Sequence, residues 1–173
     1  MVVDGRADQI YPLSFIEESN RAAFDEATFN DWNSKLNGDW VLASNTPNHP
    51  SHLFLNERFD WKMIFWSEAA TIYIRTEKYP ALASKTLKFL PMFLNSQKKL
   101  AELLSDIESQ NGIRDLKMEI EEMLRWTHSD LRLHLWLCLV DAKLGLKKES
   151  EDRLQRILSE FPNHPLLQEF INP

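Results

Sequence analysis

The chain has 173 residues, of which 43% are hydrophobic and 27% charged, with a formal net charge of −6 at pH 7. That is one domain of ordinary size, able to bury a core without staples, and the single cysteine, Cys138, excludes an internal disulfide. The negative charge argues against a nucleic-acid partner, and no apolar run approaches the about 20 residues that span a bilayer. The first residues, Met1–Arg6, lack the basic and apolar regions of a signal peptide, so a soluble protein in the cytoplasm is expected.

Residues 1–60 hold ten acids and four bases and carry the whole net charge, whereas residues 61–173 hold sixteen of each. Ser14 with Glu17 has the form of a capping box ahead of a predicted helix Phe15–Ala27. Thr28 with Asp31 offers a second start leading to Leu36, stopped by Asn37-Gly38. From Asp39 to Ser51, the residues Asn45, Pro47, Asn48 and Pro50 predict an irregular connection. Yet Trp32, Trp40, Leu53, Phe54 and Phe59 bring too much apolar surface for a disordered tail. This acidic region, residues 1–60, is therefore expected to pack on the rest of the chain, along a groove or as a cap over Trp61 and Trp66, with folding on a partner as the alternative. His49-x-x-His52 is the one local metal spacing. Pro50 keeps the two imidazoles off a common helical face and no grouped third ligand accompanies them, so they read as ordinary loop histidines.

From Met63 to His164 the chain can be laid in three blocks of equal length, 63–96, 97–130 and 131–164. At the fourth, seventh, eighth and eleventh positions the first block has Trp66, Ala69, Ala70 and Tyr73, and the second has Leu100, Leu103, Leu104 and Ile107. The third has His134, Leu137, Cys138 and Asp141. The later positions Leu82, Thr86 and Phe89 are matched by Leu116, Ile120 and Met123, then by Ser150, Leu154 and Ile157. Both sets have helical spacing. Breakers agree: Pro80 opens a second helix at its first position, Pro91 closes it, Ser96 caps the next, and Asn111-Gly112 separates Leu100–Ser109 from Ile113–Arg125. Asp130 caps a fifth helix, Gly145 is its left-handed stop with Lys143 at the negative end of the dipole, and Phe161-Pro162 ends a sixth. Pro165–Ile171 reads as a short C-terminal capping helix over the last repeat.

This pattern resembles the tetratricopeptide-repeat family, best at Trp66, Ala69, Ala70 and Tyr73 and at Gly145, Leu154 and Pro162. It departs from it at Leu82, Leu104, Leu116 and His128. The resemblance implies an all-α, right-handed solenoid of about three helix pairs over residues 61–173, behind the non-repeat region 1–60. It also implies a protein–protein interaction module, an adaptor or chaperone-like assembly factor that binds a partner peptide or helix in its concave groove. In such solenoids the first helix of each pair builds that wall, which makes Arg75, Lys98, Arg132, Leu135, Trp136, Leu139 and Lys143 the candidate partner-binding residues. Ser67, Thr71, Ala101 and Ser105 do not match the family's clamp for a terminal carboxylate.

The search for chemistry is negative: four glycines form no phosphate loop, and no cysteine pair or nucleophile motif is present. No catalytic residue, metal or cofactor is therefore expected. Glu119, Glu121 and Glu122 read as the hydrated edge of an amphipathic helix, and Cys138 as a buried packing residue. The basic stretch Arg75–Lys99 reads as a solvated face. Its sign, opposite to that of residues 1–60, also suggests an N-terminal region that occupies the groove until a partner displaces it. The alternatives to an adaptor are a structural subunit of a permanent oligomer or complex and, further off, an enzyme or metal protein.

Overall fold

The computed structural model describes residues 12–45, 51–83, 85–93, 97–107 and 110–171. The chain divides into two units, Met1–Leu87 and Lys88–Pro173. The first holds helices α1 (Leu13–Ala22) and α2 (Glu26–Leu36), strand β1 (Trp40–Ser44), a 3-10 turn (Leu53–Glu57), strands β2 (Trp61–Trp66) and β3 (Ala70–Arg75), and a short helix α3 (Pro80–Ala83). The strands form an antiparallel sheet in the order β1-β3-β2.

This sheet overturns the all-α solenoid, because the expected first helix of the first block is a β-hairpin. Trp66, Ala69, Ala70 and Tyr73 have helical spacing, but they lie in Trp-Lys-Met-Ile-Phe-Trp and Ala-Thr-Ile-Tyr-Ile-Arg, runs of aromatic and β-branched residues that fit a pleated surface better. Trp61 and Met63 on β2, and Thr71 and Tyr73 on β3, are buried at alternating positions, with a register shift between Met63 and Phe65. Of Ala69 and Ala70, read as small helix-contact residues, the first lies in the connection and the second opens β3, and their N–H groups donate to the Ser67 hydroxyl at 3.3 and 3.1 Å. The N-terminal region contributes β1, which pairs with β3 from Trp40↔Ile74 to Ser44↔Ala70.

One face of the sheet is covered by α2 and the 3-10 turn. Phe29 stands edge-on to Trp61 and Phe54, with ring centroids 5.6 and 5.4 Å apart, and Tyr73 donates its hydroxyl hydrogen to Asn56 at 2.8 Å. Arg58 fastens α2 from outside. Its guanidinium grips Asp60 through two bonds of 2.9 and 2.8 Å and reaches Glu26 and Asn30 on α2 at 3.0 and 2.7 Å, a bidentate geometry that a lysine does not reproduce. The α2 cap is Asp25, which accepts from the Thr28 N–H at 2.6 Å, rather than Thr28 itself. Likewise α1 starts after Pro12 with no side-chain cap.

The second unit is helical: α4 (Leu90–Phe93), α5 (Gln97–Asp106), α6 (Gln110–Trp126), α7 (Leu131–Lys143), α8 (Lys147–Glu160) and α9 (Pro165–Ile171). Blocks 97–130 and 131–164 each hold one helix pair. Pro91 lies inside α4 instead of closing a helix, and Asn111-Gly112 sits in the first turn of α6, where N–H groups have no intrahelical partner and a poor helix former costs little. Ser96 lies outside the described residues. Asp130 accepts from the Leu133 N–H at 3.2 Å. Gly145, at φ +80°, ends the turn after α7, and the Leu146 N–H closes back on the Asp141 carbonyl at 2.9 Å.

Helix α7 is the centre of the unit. Leu131, Leu133, Leu135, Trp136, Leu137, Cys138 and Val140 are all buried on it, which is what an all-round apolar helix requires. The terminal helix α9 covers this core as its sequence suggests: Leu167 joins Leu131, Leu135, Cys138 and Ile157, flanked by Leu166 and Phe170. Glu119 is not the hydrated edge its neighbours suggest. Its carboxylate accepts from the backbone N–H groups of Lys88, Phe89 and Leu90 at 2.6, 3.0 and 3.2 Å, satisfying donors ahead of α4. Burial pushes that carboxyl above its ordinary range against the pull of the three donors.

Candidate functional site: an aromatic groove in the first unit

Helix α2 presents Phe29, Trp32, Asn33 and Leu36 along one side, at helical spacing. Asn37, in the left-handed conformation at φ 49°, stops the helix and Gly38 turns the chain into β1. The bend swings Trp40 and Val41 back beside the helix. His52 completes the wall from the other end of the connection, and these residues other than Asn37 enclose a groove of about 370 Å³. Its floor is buried Phe29, Trp32 and Val41, whereas Leu36 and Trp40 stand at its rim with 46% and 51% of their surface exposed.

His52 is held there by backbone chemistry. Its own φ of 59° is left-handed, uncommon for a residue with a side chain. The conformation persists because the flanking segment is pinned: Ser51 donates its N–H to the Ser44 carbonyl at 2.9 Å, Ser44 donates to the Ser51 hydroxyl at 2.9 Å, and the His52 N–H reaches the Ala23 carbonyl at 2.6 Å. Strain of this kind is retained where the surroundings over-determine it and collects at binding sites. The imidazole packs on Phe29 and Phe54, with centroids 5.7 and 6.0 Å away, and its Nδ1 lies 3.0 Å from the Ser51 hydroxyl. Burial depresses its pKa from 6.5 to about 4, so the ring is neutral at pH 7. His49, its partner in the metal spacing, lies outside the described residues. Among the described residues no group of three or more metal-ligating side chains comes together.

The pKa shift makes a testable statement about stability. The folded pKa of His52 lies below the unfolded value, so the unfolded chain binds the proton more tightly between them. The stabilisation is full above pH 6.5 and is lost as pH falls toward 4, a loss of about 3 kcal/mol. A His52→Asn variant keeps a residue that tolerates the left-handed backbone and removes the titrating group. Urea titrations at pH 7 and pH 4.5 should show a larger acid loss for the wild-type chain than for the variant, and equal losses would contradict the buried neutral ring.

The candidates read from the repeat register fall elsewhere. Arg75 is on β3 in the first unit, its guanidinium carbon 5.4 Å from the centroid of the Trp61 ring and its NH1 3.8 Å from Glu77. The others belong to the second unit. Leu135 and Trp136 are each 3% exposed and serve its core, Arg132 and Leu139 are half-buried, and Lys143 is exposed. Lys98 is on α5, with its side chain outside the described set. Leu135 and Trp136 do not line an open wall, because α7 is enclosed by its neighbouring helices. Cys138 is buried as expected, and burial raises its thiol pKa to about 11, which leaves it a packing residue. Among the described residues no helix is long and apolar enough to cross a membrane.

The sequence contained one signal for the groove that the repeat register obscured: Trp32, Leu36 and Trp40 stand four apart across Asn37-Gly38, apolar on both sides of a chain reversal. What these residues enclose depended on His52 and on the placement of β1. Compared with protein-family models, curated proteins and solved structures, the chain has no significant match to any of them.

Proposed function

We propose that this protein is a protein-binding module, an adaptor or assembly factor, whose aromatic groove takes an apolar anchor from another protein. One observation carries the reading: Trp40 and Leu36 stay exposed at the rim of a cavity floored by Phe29, Trp32 and Val41. An indole beside an apolar pocket is the kind of residue that concentrates binding energy at interfaces. The Ser51 hydroxyl lies 3.0 Å from His52 Nδ1, but it also accepts from the Ser44 N–H at 2.9 Å and contacts the Ser44 carbonyl at 3.4 Å, which favours a role in pinning the connection over one as a nucleophile. Action in the cytoplasm, on a protein and not on nucleic acid or a membrane surface, is part of the same proposal and accords with the net charge of −6.

The test is Trp40→Asp in the full chain. Because this side chain is half exposed, the variant should keep the wild-type circular dichroism spectrum and lose no more than about 1–2 kcal/mol of stability in a urea titration. Affinity capture with quantitative mass spectrometry should show a protein enriched by the wild-type chain and depleted at least tenfold by the variant, in line with loss of a hot spot worth about 2 kcal/mol. Equal recovery by both would remove the groove from the binding surface.

A further inference from the structure

Asn33 is only 7% exposed on the groove wall, and its carboxamide makes no hydrogen bond among the described residues. The oxygen and nitrogen of the carboxamide are not sealed from solvent, so water in the groove serves them until a partner group replaces it. The carboxamide comes close to the bend after α2, where a Cβ at Gly38 would lie 2.6 Å from Asn33 Oδ1 and would require the side chain to turn. Among the described residues the rest of the lining is uncharged, His52 included, so an ionic group entering the groove would lose its hydration without meeting a counter-charge from them.

Resting on the protein-binding reading above, we infer that the groove recognises an uncharged aromatic or large aliphatic residue in an extended partner segment, with the Asn33 carboxamide pairing to that residue's main-chain amide groups. A carboxamide presents an N–H donor and a C=O acceptor side by side. An extended residue presents its own C=O and N–H on one side, as it does in a strand pair. The cavity takes the apolar side chain while Trp40 and Leu36 close over it. A free carboxylate in place of the amide is excluded by the neutral lining.

The experiment uses the full chain, isotope-labelled, with N-acetyl-phenylalaninamide as the probe and N-acetyl-phenylalanine as its charged counterpart. The resonances read are the indole N–H groups of Trp32 and Trp40 and the Asn33 carboxamide, assigned by substitution. The amide probe should shift all three, and the carboxylate probe should bind at least about tenfold more weakly. Asn33→Leu should weaken the amide probe about tenfold, the value of one to two net hydrogen bonds, while its urea midpoint stays level or rises. Equal binding of the two probes, undiminished binding by Asn33→Leu, or a fall in the midpoint of that variant would each overturn the inference, the last because the carboxamide would then be holding the fold. Absence of any shift at Trp32 and Trp40 would overturn it as well. The protein-binding reading stands or falls separately, on the Trp40→Asp capture.

Discussion

Replacing Asp141 with alanine should cost the helical unit about 3–5 kcal/mol. The carboxylate is fully buried at the C-terminal end of α7, with 0% exposure, where it meets Lys117 Nζ of α6 at 2.6 Å and Arg153 of α8 at 3.5 Å. Three helices therefore share one buried charge. Removing it leaves two cations that are only 22% and 27% exposed, of which Lys117 keeps only a looser pair with Glu121 at 3.7 Å, and they cannot fully rehydrate without moving away from the apolar wall. Asp141→Asn should cost less, since it keeps the volume and can still accept from Lys117. A double-mutant cycle with Lys117→Met isolates the shared term, expected at about 1–3 kcal/mol. Urea unfolding followed by circular dichroism is the measurement. A loss under about 1 kcal/mol for Asp141→Ala would mean that the pair forms no more than an exposed ion pair would.

The second large effect is expected at Trp136. The repeat register assigns it to a concave wall as a partner contact, in which case truncation would weaken binding and leave stability untouched. The structure places it at 3% exposure on the central helix, so Trp136→Ala should cost about 3–5 kcal/mol of stability through lost burial and the cavity left behind. Trp136→Phe, which leaves a smaller void, should recover part of that cost. Both unfolding titrations use the full chain. A Trp136→Ala variant with an unchanged midpoint would contradict the core assignment.

The legible parts of this fold are those governed by neighbours in sequence. Asn37 adopts the left-handed stop that Asn37-Gly38 suggests, Asp130 caps α7, Gly145 takes positive φ, and Pro165 opens the terminal helix. Each depends on steric or hydrogen-bonding preferences that act within one turn of chain. The last two helix pairs are legible for the same reason, since their apolar positions repeat with the helical period and no competing pattern overlies them. In the hairpin two periods overlap. Trp66, Ala69, Ala70 and Tyr73 satisfy the spacing of a helix, while Trp61 and Met63 with Thr71 and Tyr73 satisfy that of strands, and only pairing with a third strand separates the two.

The groove shows the same division. Phe29, Trp32, Asn33 and Leu36 share a helix face that is visible in the sequence. Trp40 and Val41 arrive beside them because β1 pairs with β3 about thirty residues later, and His52 arrives because Ser44 and Ser51 bond across the connection. Glu119 makes the point in the helical unit: next to Glu121 and Glu122 it reads as solvated, and backbone donors thirty residues earlier claim it. The sequence by itself determined the helix ends at Asn37, Asp130, Gly145 and Pro165, the apolar central helix and the inert cysteine, because short-range sterics and burial decide those. Tertiary structure decided the sheet, the groove and the fate of the buried charges, since each depends on groups that meet only after distant segments close on one another.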